Sequence, residues 1–251
     1  MSQASKDNID TPKKSAVEEL IPAVLTMLEA GVHFGHERSK RNPKMEKYIF
    51  MHRNRVAIFD LEQTSSELKK AATFTYNTAR VPGNDILFVG TKRQAQPIVK
   101  KYAEAVKQPY VTTRWLGGTL TNFRTIQKSI EKLDELRKQK EDQAWGRLTK
   151  KERAVRQKEI ERLEQVLEGI RTMRRLPAAL IVAGIHDEQI AIREANRMKI
   201  PVIGIADTNA NPASVAFPIP ANDDAIRALD LIVGILSKVV AAGQQNQITK
   251  A

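Results

Sequence analysis

The segment ALIVAGIHDEQIAIREANRMKIPVIGIA, residues 179–206, decides the fold class of this chain. It contains two apolar runs, Ala179–Ala183 and Val202–Ala206, each bounded by turn residues, and Pro201 marks the boundary before the second run. Between the runs, the pattern predicts a helix over about residues 188–198. Short strands that are apolar on both faces and joined through a helix are typical of parallel sheets covered on both sides.

The same alternation of strands and helices is predicted on both sides of this segment. The further predicted strands are 48–50, 56–60, 86–89, 109–112 and 215–219, and the further helices are 62–80, 93–106 and a final one after Asn222. Prolines at 218 and 220 cannot donate ladder hydrogen bonds, so the strand there is expected at a sheet edge. The side chain of Asn222 is expected to cap the last helix. This pattern predicts an α/β fold with a Rossmann/flavodoxin-like parallel sheet.

The stretch 120–175 interrupts this alternation. Apolar residues recur there at spacings of three and four in two series: Phe123, Ile126, Ile130 and Leu133, then Ile160, Leu163, Leu167 and Ile170. Such narrow seams predict two coiled-coil helices. Thr149 and Glu152 would form a capping box at the start of the second helix. The sequence therefore predicts an antiparallel coiled-coil helical hairpin that is inserted between two strands and packs mainly on itself.

These patterns divide the chain into four parts. Residues 1–20 are polar and are expected to form a disordered N-terminal extension. Residues 21–119 and 176–242 are expected to form the α/β globular domain, and residues 120–175 the coiled-coil hairpin. Residues 243–251 are expected to be a flexible C-terminal tail.

The composition favours a polyanionic partner. The 251 residues include 41 Lys and Arg against 29 Asp and Glu, a formal net charge of +12, and each phosphate that a cation neutralises releases condensed counterions. A membrane partner is disfavoured, because no long apolar run or Lys-rich amphipathic helix is evident. The chain has no cysteine, which excludes disulfides and thiolate metal sites. The acidic, polar N-terminus is unlike a signal or transit peptide, so a cytoplasmic location is expected.

Two basic, glycine-containing segments carry the candidate RNA-binding residues. They are GVHFGHERSKRNPKM at 31–45 and RWLGGTLTNF at 114–123, and both combine cations and aromatic rings with glycines that let backbone approach a ligand. The candidates, in or near these segments, share a cationic or amide side chain: Arg38, Lys40, Arg41, Lys44, Lys47, Arg53, Arg55, Lys92, Arg93, Arg114, Asn122 and Arg124. The ring of Trp115 is expected in the core, because large aromatic residues are mostly buried.

An enzyme is the alternative from another class, because parallel α/β sheets often bind ligands beyond the carboxyl ends of their strands. The chain has neither a G-x-G-x-x-G nor a G-x-x-x-x-G-K-[ST] motif. Gly90–Thr91–Lys92 resembles a small part of such a phosphate-binding loop. It is interpreted either as a phosphate contact or as a helix start. Without a phosphate-cradling motif or a nucleophile–base pair, we expect no catalysis, no cofactor and no small-molecule substrate.

A metal site is a separate hypothesis. His186, Asp187 and Asp207 follow two apolar strands and would converge at the carboxyl edge of the sheet, where a structural zinc or magnesium ion is chemically plausible. Capping of the following helix by an aspartate is the simpler account of the same residues. His33 and His36 also have metal-like spacing, but the sequence shows no third donor beside them.

Seven segments in collinear order resemble the bacterial-type family of small-subunit ribosomal protein S2. They are GVHFGH at 31–36, NPKM at 42–45, LFVGTKRQA at 87–95, RWLGGTLTNF at 114–123, LPAALIV at 176–182, EANRMKIPVIGIADTN at 194–209 and IPANDDAIRAL at 219–229. The resemblance covers about residues 24–242. Two departures are Arg41, where the family often has Trp, and an N-terminal extension that is longer than in many members.

This resemblance implies a Rossmann-like sheet with a helical hairpin and a structural role on the solvent side of the small ribosomal subunit, between head and body. The implied partners are 16S-type ribosomal RNA and neighbouring ribosomal proteins, among them the largest mRNA-binding protein of that subunit.

Overall fold

The structure is a computed structural model that describes residues 17–142 and 144–247, apart from the side chains at positions 38, 144 and 147. The strands of this part are β1 (Phe34–Glu37), β2 (Ile49–Arg53), β3 (Val56–Phe59), β4 (Ile86–Val89), β5 (Tyr110–Val111), β6 (Ala179–Val182), β7 (Val202–Ala206) and β8 (Phe217–Pro220). The α-helices are α1 (Val24–Glu29), α2 (Leu61–Ala79), α3 (Gln96–Ala105), α4 (Phe123–Glu141), α5 (Ala144–Arg147), α6 (Lys150–Leu167), α7 (Gln189–Arg197) and α8 (Ile226–Gln245).

The central sheet has five parallel strands in the order β5-β4-β6-β7-β8. Counted along the chain, this is the doubly wound order 2-1-3-4-5, and it confirms the predicted α/β class. Every residue of β4, β6 and β7 is buried, as expected for strands covered on both faces. Strand β8 lies at the edge, where the backbones of Pro218 and Pro220 face the single neighbour β7.

Helices cover both faces of this sheet. The apolar sides of α2, α3 and α8 share one buried cluster with Ile86, Phe88 and Ile203 on the first face. On the second face, Leu87, Val89 and other strand residues share a cluster with α7 and with the helical segment between β5 and β6. Of the described helices, none is both long and apolar enough to cross a lipid bilayer.

A second, antiparallel sheet of three strands, ordered β1-β3-β2, precedes the main sheet. Strands β2 and β3 are joined by a two-residue turn in which Asn54 and Arg55 both have positive φ, 48° and 66°, the geometry of a type I′ hairpin. Strand β1 was not predicted, because its sequence, FGHE, has no apolar alternation. The region interpreted as a basic loop therefore consists of β1 followed by short 3-10 turns at Arg38–Lys40 and Pro43–Tyr48.

Several predicted boundaries differ from the structure. Residues 1–16 and 248–251 lie outside the described residues, so most of the predicted extension and part of the predicted tail are untested. Val17 is already buried in the core, and α8 continues to Gln245, beyond the expected limit at 242. Asn222 does not cap α8: its side chain accepts hydrogen bonds from the N–H groups of Asp224 and Ala225 in the turn before the helix.

The insertion between β5 and β6 contains two long helices, α4 and α6, that contact each other. The guanidinium of Arg137 on α4 lies 2.7 Å from carboxylates of Glu164 and Glu168. At the start of α6, the predicted capping box is present: the Thr149 hydroxyl accepts from the Glu152 N–H, and the Glu152 carboxylate accepts from the Thr149 N–H.

The base of this insertion packs on the main sheet, contrary to the expectation that it packs mainly on itself. Leu167, Ile170 and Met173 belong to the same buried cluster as Leu87 and Leu180 of the sheet. Gly169 lies so close to the backbone of Tyr110 that an added Cβ would clash there. The insertion therefore completes the second face of the core at its base, while its distal part extends beyond the core.

Two deletions should show which part of the insertion the core needs for stability. Replacing residues 138–158 by a short glycine linker removes only the distal part, so we expect a cooperative thermal transition by circular dichroism at close to the wild-type temperature. Replacing residues 121–174 exposes a face of the sheet, so we expect binding of a hydrophobic dye and loss of the cooperative transition. A cooperative melt of the longer deletion would show that the core does not need the base.

Candidate nucleic-acid interface

The carboxyl edge of the main sheet collects charged side chains from four parts of the chain. Lys92 follows β4, Asp207 follows β7, and Asp223 and Asp224 follow β8. His36 of β1 reaches the same point from the N-terminal sheet. Ligands of doubly wound sheets bind at this edge, so it is the natural place to look for a site.

Lys92 lies among three carboxylates. Its Nζ is 2.7 Å from Asp223 Oδ1, 2.6 Å from Asp224 Oδ1 and 3.7 Å from Asp187 Oδ2. Burial acts to lower the pKa of Lys92, but the hydrogen bonds to Asp223 and Asp224 outweigh it and raise the pKa overall. Lys92 is therefore held as a charged, internally paired residue. This geometry does not favour the RNA contact predicted for it.

His36 bridges two of these carboxylates. Its Nδ1 lies 3.0 Å from Asp207 Oδ1 and its Nε2 3.2 Å from Asp224 Oδ2. The hydrogen bond to Asp207 raises the pKa of His36, although burial opposes the shift. The His36 N–H also donates to Thr208 Oγ1 at 2.8 Å. An added Cβ at Gly35 would clash with the Thr208 side chain, so this close approach requires glycine.

Asp223 is the most deeply buried acid of this group. Burial raises its pKa to about 6, and the nearby charge of Asp207 acts in the same direction. One carboxylate oxygen, Oδ1, accepts from Lys92. The other, Oδ2, is buried and has no hydrogen-bond partner among the described residues.

The structure brings only part of the predicted metal set together. Asp207 belongs to the group of His36, Asp223 and Asp224, whose ligand atoms lie within 4.8 Å of one another. Asp187 touches this group only through Lys92, and His186 is exposed and lines a separate groove.

His33 and His36 have the spacing of metal ligands in the sequence, but the structure gives the two rings different surroundings. The pKa of His33 is lowered by burial, and its ring lies against that of Phe34, with centroids 3.9 Å apart. Within the described part of the chain, His33 is not a member of the carboxylate group, so the two histidines do not share one site.

The segment RWLGGTLTNF folds around a buried carboxylate that sequence reasoning missed. Glu194, on α7, accepts hydrogen bonds from the indole of Trp115 at 3.1 Å and from the N–H groups of Gly118, Leu120 and Thr121 at 2.8, 3.0 and 3.2 Å. The Thr121 hydroxyl adds another at 3.1 Å. Together these donors form a cradle around the Glu194 carboxylate. Gly118 adopts a φ of 92°, which allows its N–H to take part in this cradle.

Trp115 is buried, as predicted. Burial acts to raise the pKa of Glu194, but the hydrogen bonds from Gly118, Trp115, Leu120 and Thr121 outweigh it and lower the pKa. A Glu on an amphipathic helix ordinarily faces solvent, so the sequence carried little sign of this role.

The basic segment after β1 contains both free and paired cations. Lys40 and Lys44 are exposed and make no ion pair with any described residue. Lys47 is exposed and lies over the ring of Tyr48, 4.6 Å from its centroid. Arg41 is engaged instead by Glu46 and lies 3.5 Å from His52 Nε2. The side chain of Arg38 lies outside what the structure describes.

The remaining predicted RNA-binding residues are exposed and, within the described chain, form no ion pairs; they are Arg53, Arg55, Arg93, Arg114, Asn122 and Arg124. Arg53 is the last residue of β2, and Arg55 lies in the turn between β2 and β3. Arg93 follows β4 and Arg114 follows β5, so both lie toward the carboxyl edge. Asn122 precedes α4, where its Oδ1 accepts from the Thr125 hydroxyl at 2.9 Å.

A polar groove of about 330 Å³ lies beside this edge. Its lining is rich in amides and includes a guanidinium and an imidazole: Asn42, His186, Gln189, Arg193, Asn196 and Asn209. The groove is bounded by the Asn42 N–H, which donates to the Thr208 carbonyl at 2.7 Å. Its side chains can donate to and accept from both phosphates and base edges.

The loop that resembled a phosphate cradle is occupied by the protein itself. The Thr91 N–H donates to the buried Glu188 carboxylate at 2.5 Å, and α3 begins only at Gln96. Space around Gly90 is filled by the side chains of Val99 and Ala183. The loop therefore precedes α3 without forming its first turn, and the Thr91 amide is not available to a phosphate.

Comparison with known proteins agrees with this architecture. Residues 27–243 match the ribosomal protein S2 family. The chain belongs to that family. Over 240 residues it is 44% identical to the small ribosomal subunit protein uS2 of Salinibacter ruber, and the aligned region covers 96% of this chain and 72% of that relative. Because the S2 family consists of ribosomal structural proteins, the enzyme alternative is excluded and the resemblance read from the sequence is confirmed.

The Glu194 cradle allows a prediction about stability. Glu194→Gln should lower the free energy of unfolding by roughly 2–4 kcal/mol, because the amide keeps one acceptor oxygen and turns an NH₂ group toward backbone donors. The matched change at the exposed Glu161 should stay within about 0.5 kcal/mol. Urea unfolding at pH 7 measures both differences. Equal stabilities of the two variants would contradict the role of the cradle.

The same carboxylate predicts a pH dependence. Since the pKa of Glu194 is lower in the folded protein, its contribution is fully present above the unfolded value of about 4.3 and is lost as the pH falls through the folded value. Between about pH 5 and pH 3 the wild type should therefore lose more stability than Glu194→Gln. Parallel pH profiles would contradict this assignment.

Proposed function

We propose that this chain is a structural protein of the small ribosomal subunit that binds 16S-type ribosomal RNA through the carboxyl edge of its parallel sheet. The observation that carries this proposal is a set of four exposed cations at that edge that form no ion pair with a described residue: Lys40, Lys44, Arg93 and Arg114. Phosphate contacts made by exposed Lys and Arg would position the protein, and the shape of the RNA would supply much of the specificity.

The exposed cations at this edge come from separate parts of the chain. Lys40 and Lys44 follow β1, which is tied to Thr208 and Asp207 at the end of β7, and Arg93 and Arg114 follow β4 and β5. Because the carboxyl ends of parallel strands meet at one edge of a sheet, these side chains share that side of the molecule. None of the four forms an ion pair with a described residue, so they are available to phosphates.

Three lysines on the covering helices α2 and α3 are paired with carboxylates instead. Lys69 and Lys70 on α2 contact Glu18 and Glu67, and Lys101 on α3 lies 3.2 Å from Asp230. Pairs at the surface contribute little stability, but each one lowers the local positive potential. The positive charge of these three lysines is therefore partly offset, whereas that of Lys40, Lys44, Arg93 and Arg114 at the carboxyl edge is not.

The amide-rich groove supports the same interface. Asn and Gln side chains offer both donors and acceptors, and Arg193 adds a planar cation suited to phosphate. Single-stranded or bulged RNA presents base edges and 2′-hydroxyls that such a groove can bind. We assign it as a candidate site for an unpaired nucleotide adjoining the phosphate contacts.

Neighbouring ribosomal proteins, including the largest mRNA-binding one, are the second proposed class of partner. Exposed apolar residues of the N-terminal sheet support it. Phe34 and Met51 are both aligned with Ile58 of β3, which places them on one face, and each is close to half exposed. On α1, Leu25 is also exposed. An apolar surface of this kind fits a protein neighbour better than phosphates.

We also propose that α4 and α6 form an antiparallel coiled-coil hairpin. Ile126, Ile130 and Leu133 of α4 and Ile160 and Leu167 of α6 are buried, as the apolar seams require. Ion pairs run in opposite directions along the two segments: Asp134 pairs with Arg171, and Arg137, later in α4, pairs with the earlier Glu168 and Glu164. Residues 120–175 carry 16 Lys and Arg against 10 Asp and Glu, so the hairpin would offer further phosphate contacts.

Binding to transcribed small-subunit ribosomal RNA over a range of salt concentrations tests the interface. We expect the combined change of Lys40, Lys44, Arg93 and Arg114 to Gln to weaken binding while circular dichroism stays unchanged. If each of the four cations neutralises one phosphate, the slope of log K against log salt should flatten by about 3.6 units, at about 0.9 per phosphate.

The matched control changes Lys69, Lys70, Lys100 and Lys101 to Gln, which removes the same formal charge from cations that pair with carboxylates. Its salt slope should remain close to that of the wild type. If the two variants had equal slopes, binding would depend on net charge alone and the carboxyl-edge interface would be wrong.

A further inference from the structure

The amide-rich groove beside the carboxyl edge combines an apolar floor with a polar rim. Ile185 and Ile192 line the groove and are almost fully buried, at 2% and 3% exposure, so they form its floor. The rim consists of amides together with the guanidinium of Arg193. The volume of about 330 Å³ is at the small end of ligand pockets, which span about 300–1,000 Å³. This combination suits the flat apolar face and the polar edge of one nucleobase.

One polar atom of the groove lacks a partner. Asn209 lines the groove, and its Oδ1 is buried without a hydrogen-bond partner among the described residues. A buried amide oxygen in this state has lost its hydration without compensation. A ligand with an N–H donor would remove that cost, since rotation about the broad last torsion of the side chain turns the oxygen toward the groove. A phosphate, whose oxygens are acceptors, would not remove it.

Two other amides of the rim are held in fixed orientations. The Asn42 Oδ1 accepts from the Lys44 N–H at 3.0 Å, which leaves the NH₂ group of Asn42 for a ligand. The Asn196 Nδ2 donates to the Ser214 carbonyl at 2.9 Å, which leaves its Oδ1 as an acceptor. The rim therefore offers a donor and an acceptor at set positions, as the edge of a base requires and a row of phosphates does not.

Cations for the phosphates of the same nucleotide lie next to the groove. The 3-10 turn Pro212–Ser214 separates the groove from a second cavity of about 350 Å³. Ser214 lines the groove, whereas Pro212 lines the second cavity together with Lys44 and Lys47. A base in the groove would thus have its phosphates within the surroundings of exposed ammonium groups.

We propose that this groove binds one unpaired adenine of the ribosomal RNA and that Asn209 recognises the base. The inference rests on the proposed RNA interface and adds the identity of a base to it. On its Hoogsteen edge adenine has the N6 donor beside the N7 acceptor, which an asparagine amide contacts through both of its polar atoms. On that edge guanine has two acceptors, uracil has an acceptor and cytosine has a donor alone. Asn209 would accept from N6 and donate to N7, and Ile185 and Ile192 would contact the face of the ring.

The test uses the purified full-length chain and two labelled probes, a short oligouridine and the same oligouridine with one central adenosine. Titrations followed by fluorescence anisotropy give both affinities. We expect the wild type to bind the adenosine probe at least about fivefold more tightly. Asn209→Ala should abolish this preference and keep the melting temperature, because the Asn209 Oδ1 makes no hydrogen bond to a described residue. Asn209→Ser, which retains a small polar side chain, should give the same result.

Asn77→Ala is the matched control. Asn77 is exposed and lines another groove, on α2, so this variant loses an amide at a distance from the carboxyl edge and should keep the wild-type preference. The proposal is overturned if the wild type binds both probes equally or binds neither. It is also overturned if probes with a central cytidine or guanosine bind as tightly as the adenosine probe, or if both Asn209 variants retain the preference.

Failure of this inference can be told apart from failure of the proposed interface. The combined change of Lys40, Lys44, Arg93 and Arg114 to Gln should weaken binding of both probes to a similar degree and leave the preference for adenosine. If that variant flattens the salt slope while the wild type shows no preference, the interface stands and the adenine site is wrong. If the preference is present but the salt slope is unchanged, the set of phosphate contacts is wrong and the adenine site stands.

Discussion

The carboxylate of Asp207 is the interaction on which the assembly of this molecule depends. It accepts from the N–H of Thr208 and of Asp223 and contacts the imidazole of His36, at 2.5, 3.2 and 3.0 Å. One buried side chain thereby joins the end of β7, the turn after β8 and the N-terminal sheet. A carboxylate this deeply buried is tolerated only when donors surround it, so the position of each donor is constrained by the others.

This constraint explains why the N-terminal sheet sits where it does. The three strands of that sheet are too short to be stable alone, and β1 has little apolar surface to bury. The N-terminal sheet docks through His36 and the close approach of Gly35 to Thr208. Met45, Tyr48 and Phe59 also share a buried cluster with Leu87 and Val89 of the main sheet. The basic turns that follow β1 are consequently carried to the carboxyl edge, beside Arg93 and Arg114. The proposed RNA interface thus depends on these polar contacts and on the apolar packing together.

Much of the fold could be predicted because it follows from local patterns. Strands β4 and β7 coincide with the predicted runs, since a strand buried on both faces must be apolar throughout. What could not be predicted depends on contacts between distant residues. Strand β1 pairs with β3, but its His36 contacts Thr208, 172 positions away. Glu194 looks like a solvated helix residue until the Trp115 segment is folded around it. Lys92 looks like a free cation because a sequence does not reveal which carboxylates will surround it.

The hydrogen bonds and ion pairs at the carboxyl edge help to explain how a doubly wound sheet, which often carries an enzyme site, serves here in a ribosomal structural protein. In doubly wound folds, the crevice beyond the strand ends is normally left open for a substrate or a nucleotide. Here Glu188 takes the Thr91 amide that would otherwise face a phosphate, and Lys92 is held by Asp223 and Asp224. The Thr91 amide and the Lys92 ammonium, which the fold directs into its crevice, are therefore satisfied internally. The groups that remain free to bind a ligand are the exposed cations and amides around the rim of the crevice. An extended polyanion can reach them there, whereas a small substrate would not be enclosed.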